Sequence, residues 1–118
     1  MRRMLIPLCV LIAVLAWASI GTAAVQTLHG VTGPGYTISV RHGGMPVKTL
    51  KAGTYRVAVS DRSSMHNFHL FGPGVNKKTS VPFTGSQTWT VTLRPGKYTY
   101  RCDIHAAVGM KGSFRVTR

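Results

Sequence analysis

Glutamate is absent from this 118-residue chain, and aspartate occurs only twice, at Asp61 and Asp103. Against them stand 15 Lys and Arg residues, for a formal net charge of +13. Such a surface attracts anionic partners and repels cationic ones. The basic residues are spread along the chain and form no block, and no nucleic-acid recognition motif accompanies them, so no specific nucleic-acid partner is expected. Cysteine is almost as scarce, with Cys9 and Cys102 alone. Helical periodicity, internal repeats and low-complexity tracts are missing as well, which argues against βαβ units and against a solenoid.

The first segment has the layout of an export signal. Arg2 and Arg3 precede an apolar run from Met4 to Trp17, and small residues follow through Ala23 and Ala24. Residues 1–24 are read as a signal peptide on this pattern, with a retained membrane anchor as the alternative, since no charge occurs between Arg3 and Arg41. Pro7, Ser19, Gly21 and Thr22 weaken the anchor reading, and Ile6-Pro7-Leu8 before Cys9 is not a lipoprotein cleavage box. An exported protein in the periplasm or outside the cell is the expectation, with no stable membrane span once the signal is cleaved. Removal of the leader also removes Cys9 and leaves Cys102 without a disulfide partner, so the thiol calls for another explanation.

From Val25 to Arg118 there are 94 residues, enough for one domain with one core. Thirteen Lys and Arg less Asp61 and Asp103 give this part a net charge of +11. Period-two alternation runs through it. Tyr36, Ile38 and Val40 alternate with Thr37, Ser39 and Arg41, and Tyr55, Val57 and Val59 alternate with Arg56, Ala58 and Ser60. Trp89, Val91 and Leu93 form a third series, and Arg94-Pro95-Gly96-Lys97 then supplies a tight turn, which predicts a hairpin. The return strand carries Tyr98, Tyr100 and Cys102 on one side, and a last strand places Phe114 and Val116 inward. Short strands separated by turns such as Lys51-Ala52-Gly53 and Gly72-Pro73-Gly74 predict an all-β fold, an antiparallel Greek-key sandwich or barrel.

Chemistry concentrates near the C-terminus. Cys102, His105 and Met110 follow the spacing C-x2-H-x4-M and set a thiol, an imidazole and a thioether on one loop between two strands. A His2Cys trigonal set with a weak axial Met is a blue copper arrangement, so one imidazole is still needed. Met65-His66-Asn67-Phe68-His69-Leu70 offers two. If His66 opens a strand, alternation puts Phe68 and Leu70 on its side and sends Asn67 and His69 to the other. Parity therefore favours His66 as ligand and His69 as an outward imidazole. His29 and His42 read as isolated surface histidines.

With these residues in place the chain resembles a small cupredoxin of the plastocyanin and amicyanin kind. The resemblance covers residues 25–118 and rests on His66-Asn67, Cys102, His105 and Met110, with Gly109 and Gly112 fitting the plastocyanin loop. It implies a type 1 copper site holding one ion that cycles between Cu(I) and Cu(II), and it gives Asn67 the role of tying the His66 segment to the Cys102 loop. Departures are plain. Met65 replaces the proline usual before the first histidine, Arg101 replaces the tyrosine used as a remote electron port, and the acidic patches of plant plastocyanins have no counterpart.

Four protein ligands leave no open position for substrate, so an enzyme is not expected. The expected function is single-electron transport between redox proteins of the cell envelope by a monomer whose partners carry acidic docking surfaces. Electron entry is expected at the His105 edge, where Ala106, Ala107, Val108 and Gly109 are small or apolar. Two alternatives stay open. One is copper storage or delivery with the same ligands, and the other is a basic domain that binds an anionic envelope polymer without redox chemistry.

Overall fold

The computed structural model describes residue 16 and residues 24–118. The leader expectation, Cys9 included, lies outside the described residues apart from Ala16 and Ala24. Among the described residues no helix is long and apolar enough to cross a membrane.

Ten strands follow in order: β1 (Gln26–Thr32), β2 (Ile38–His42), β3 (Met45–Pro46), β4 (Thr49–Lys51), β5 (Gly53–Asp61), β6 (His69–Gly72), β7 (Val75–Lys78), β8 (Gly85–Leu93), β9 (Gly96–Arg101) and β10 (Lys111–Thr117). They form two five-stranded sheets, ordered β3-β2-β1-β5-β8 and β4-β10-β9-β6-β7. The expected sandwich is present. Its pairings are mostly antiparallel, but β1 runs parallel to β5 and β10 runs parallel to β4. Period-two alternation reports which side of a strand is buried and carries no information about the direction of its neighbour, so these two pairings were not legible in the pattern.

Alternation did place the core. Leu28, Val57, Val59, Phe68, Leu70, Leu93 and Tyr98 are almost fully buried between the sheets. Trp89 and Tyr100, half-buried, pack against them. Outward positions on the same strands, Arg56, Thr90 and Lys97 among them, are exposed.

Two expectations need correction. The turn at Arg94 to Lys97 does not close a hairpin, because β8 pairs with β5 whereas β9 pairs with β10 and β6. The turn is a corner where the chain crosses from one sheet to the other. Val91 and Leu93 on one side and Tyr98 on the other then face the same core from opposite sheets, which the pattern cannot distinguish from a hairpin. The Tyr98 hydroxyl fixes the corner, accepting from the Arg94 backbone N–H at 3.0 Å and donating to the Pro73 carbonyl at 2.7 Å.

Tyr36 does not belong to β2. Gly33-Pro34-Gly35 precedes it, and both glycines have φ of +70°, so the backbone turns there and the strand begins only at Ile38. The ring of Tyr36 is 63 % exposed and leaves the sheet altogether.

Candidate metal centre

Three of the four expected ligand side chains meet at one end of the sandwich. His66, Cys102 and His105 offer donor atoms that all lie within 4.8 Å of one another. Cys102 Sγ stands 3.8 Å from His66 Nδ1 and 3.6 Å from His105 Nδ1, and the two Nδ1 atoms are 2.9 Å apart. Cys102 is fully buried one residue past the end of β9, and His66 is 3 % exposed. Met110, the fourth expected ligand, is 1 % exposed at the base of the same loop.

The loop from Cys102 to Met110 is closed by its own backbone. Cys102 N–H donates to the Met110 carbonyl at 3.1 Å, and Met110 N–H donates to the His105 carbonyl at 3.2 Å. A short 3-10 turn, Ala106–Val108, fills the span between the imidazole and the thioether and ends at Gly109 with φ of +97°. That left-handed conformation is easy only for glycine. Gly112 serves a different need, because a Cβ there would collide with the Tyr100 ring beneath β10. The sulfur and nitrogen donors are thus held by a tether pinned to adjacent strands at both ends.

His66 is held from the other side. It precedes β6, which begins at His69, so the expectation that His66 opens a strand was three residues early. The parity argument still separates the two histidines. His66 turns inward to Cys102. His69 takes the opposite face, where its Nδ1 donates to Asp103 Oδ1 at 2.7 Å and its Nε2 lies 2.6 Å from Asn76 Oδ1.

Asn67 shares Asp103 with His69, the side that parity assigns to both, but at 2 % exposed it is buried there and does not meet solvent. Its Oδ1 accepts from the Asp103 backbone N–H at 2.8 Å, and its Nδ2 donates to Asp103 Oδ2 at 2.9 Å and to the Thr79 carbonyl at 3.2 Å. The contact joins the segment carrying His66 to the residue after Cys102, a link across 36 positions of sequence.

Asp103 was not singled out by sequence, yet it is the centre of this clamp. Burial pushes its carboxyl up, but hydrogen bonds from His69, Asn67 and Arg101 outweigh that and hold it at about 2. The Arg101 guanidinium also lies over the Phe71 ring, 5.0 Å from its centroid. Tyr36 is the other residue missed. Its ring meets His66 and His105 edge-on, with centroids 5.4 and 4.9 Å away. Gly-Pro-Gly before it was the signal that it leaves the strand.

The second carboxylate supports the same segment from below. Asp61 Oδ1 accepts from the Ser63 backbone N–H at 3.1 Å, and Oδ2 accepts from the Thr79 hydroxyl at 3.3 Å. Thr79 Oγ1 in turn accepts from the Phe68 backbone N–H at 2.9 Å. Burial raises the Asp61 pKa above the ordinary 3.8, more than these hydrogen bonds lower it. A raised folded-state pKa contributes stability that is complete below the unfolded value and is lost as pH rises through the folded one. Asp61→Asn, which cannot ionise, is therefore expected to gain stability relative to the wild type as pH climbs from acid to neutral. Urea unfolding of both chains at pH 4 and pH 7 measures it, and an unchanged difference between them counts against an ionising Asp61.

The donor set fits copper. A thiolate sulfur and two imidazole nitrogens are the combination that soft-to-borderline transition metals select, and separations of 2.9 to 3.8 Å are those that one ion with bonds of about 2.0–2.3 Å can bridge. No Asp or Glu oxygen joins the cluster, which disfavours calcium and magnesium.

No protein-family model matches this chain. Among solved structures it is similar to reduced rusticyanin, at 24% sequence identity and a TM-score of 0.57, over 80% of this chain and 82% of that one. Rusticyanin from Thiobacillus ferrooxidans aligns at 25% identity with a TM-score of 0.51, over 80% and 79%. Reduced auracyanin from the photosynthetic bacterium Roseiflexus castenholzii aligns at 22% identity and a TM-score of 0.53, over 81% of this chain and all of the other. Both are cupredoxins. The fold, with the His-Cys-His cluster at the end of its sandwich, is that of a small cupredoxin.

Proposed function

We propose that this chain is an exported blue copper protein that carries single electrons between redox proteins of the cell envelope, with His66, Cys102, His105 and Met110 as ligands of one copper ion. The observation that carries the reading is the convergence of His66 Nδ1, His105 Nδ1 and a fully buried Cys102 sulfur within 4.8 Å. When bound, the copper supplies a one-electron couple. The residues supply rigidity. Backbone bonds close the Cys102 to Met110 loop, and the Asn67 and Asp103 contacts lock it to the His66 segment, so donor positions have little freedom to change with oxidation state. Tyr36 and the half-buried His105 form the outer edge of the site, consistent with electron entry there.

The carrier reading is preferred to an enzyme because His66, Cys102 and His105, with Met110 as the expected fourth ligand, fill the coordination positions of one ion and leave none open for substrate. The similar structures support it further, since one rusticyanin is described as a copper protein and both rusticyanin and auracyanin have reduced forms. Export is supported by the arginine-led apolar leader alone.

Titration of the purified protein with cupric salt tests the proposal. An intense visible thiolate-to-copper band should grow to one equivalent and bleach reversibly with a one-electron reductant. A colourless endpoint would overturn the proposal, whereas a coloured protein that gives up its copper to an acceptor quickly and exchanges electrons slowly would favour storage or delivery over electron transport.

A further inference from the structure

The outer face of the second sheet carries a cationic groove that the copper site does not explain. Cross-strand register sets Lys97 directly opposite Arg115, and Arg101 directly opposite Lys111, on the paired strands β9 and β10. Like charges facing each other across an antiparallel pair are destabilising, and most sheets avoid the arrangement. Here it occurs twice on one face of one pair, with Thr99 opposite Ser113 between the two. The opposite sheet is different: Arg56 faces Thr90 and Ala58 faces Thr88 on its outer side.

These residues line two adjoining depressions. One, of about 610 Å³, lies between Phe71, Arg101, Lys111 and the loop residues Ala106 and Ala107. The other, of about 260 Å³, adds Lys48 and Arg115, and the two share Lys97 and Ser113. The result is a continuous trough along the sheet that ends against the tether holding His105. Among the described residues nothing neutralises it fully. Asp61 is buried and Asp103 already holds Arg101, His69 and Asn67, which leaves Lys48, Lys97, Lys111 and Arg115 without a carboxylate partner.

The geometry points to this trough as the docking surface for an acidic segment of a protein redox partner, with carboxylates over Lys97, Lys111 and Arg115 and its end at the Ala106-Ala107 shoulder beside the metal centre. The inference rests on the electron-carrier reading for the identity of its occupant. Continuity with the ligand loop favours a redox protein over a free polymer, because an occupant of the trough is brought alongside His105. Cation repulsion within the empty trough is relieved when carboxylates enter, so the charge pattern that costs stability in the free protein favours the complex.

Two triple variants of the full, copper-loaded chain test it, with a decaglutamate peptide as probe. Lys97→Gln with Lys111→Gln and Arg115→Gln removes the trough cations, and Arg41→Gln with Arg56→Gln and Arg62→Gln removes equal charge elsewhere. The trough variant should bind the peptide at least tenfold more weakly than wild type, the control less than threefold, and peptide-induced amide shifts should gather at Phe71, Ala106 and Ala107. The trough variant should also unfold at the same or higher denaturant concentration. Equal weakening in both variants, shifts elsewhere, or a destabilised trough variant would overturn the inference. Inorganic polyphosphate binding the trough more tightly than the peptide would overturn it in favour of an anionic polymer. The visible band is read in parallel: its absence defeats the copper reading, whereas peptide binding reports on the trough alone.

Discussion

Replacing Cys102 with Ser is expected to abolish the visible absorption of the copper-loaded protein completely while leaving the sandwich folded. The thiolate is the soft donor in the cluster, and the intense band of such a centre arises from it, so an alcohol at the same position removes the transition and most of the affinity. Cys102 is fully buried, and burying a hydroxyl in its place costs about 1–3 kcal/mol. That loss is affordable for one domain of this size, and Cys102→Ala, which buries no polar atom, controls for it. The histidines provide the sharper comparison. His66→Gln should lose the band, and His69→Gln should keep it, because His69 faces Asp103 and Asn76 on the other side of the strand. Absorption spectra of the four variants with one equivalent of copper, beside circular dichroism for the fold, decide it. A colourless His69 variant with a coloured His66 variant would reverse the ligand assignment.

The largest loss of stability is expected from Phe68→Ala. Phe68 is fully buried, stacks on Tyr100 with centroids 6.3 Å apart, and leans on Trp89 at 6.2 Å. Its ring also occupies the space above Gly30, where a Cβ would come within 2.6 Å of Cζ. Truncation leaves a cavity between the sheets and should cost about 3–5 kcal/mol, a large share of the 5–15 kcal/mol typical of a domain. The effect reaches the metal centre because Phe68 is two residues from His66 and its backbone N–H is held by Thr79. A broadened visible band should therefore accompany a lower midpoint of urea unfolding at unchanged slope. A cost below about 1 kcal/mol would mean that neighbouring side chains collapse into the space, contrary to the close packing on Gly30.

The strand faces and the spacing of the C-terminal loop were legible in the chain. Val57, Val59, Leu93, Tyr98, Phe114 and Val116 turned inward as their alternation requires, since burial on one side of a pleated strand is a local property with a period of two. C-x2-H-x4-M places three side chains on one short tether, where the chain itself guarantees proximity. Asn67 shows the limit, because alternation gives its side of the chain and not that Asp103 and Thr79 bury it there. Tyr36 shows another, because its neighbours' pattern continued through a turn that the two flanking glycines made.

By itself, the order of residues determined the all-β character, the inward set, the cationic balance and the donor types of the loop, all of which depend on composition or on neighbours a few positions apart. The tertiary structure alone decided that β8 and β9 part company into opposite sheets, and that β1 and β10 take parallel neighbours. It alone brought Asp103 under His69 and Asn67, Tyr36 over two imidazoles, and Lys97 against Arg115. These are contacts between segments far apart in the chain, fixed by how two sheets close on one core, and no local periodicity encodes that closure.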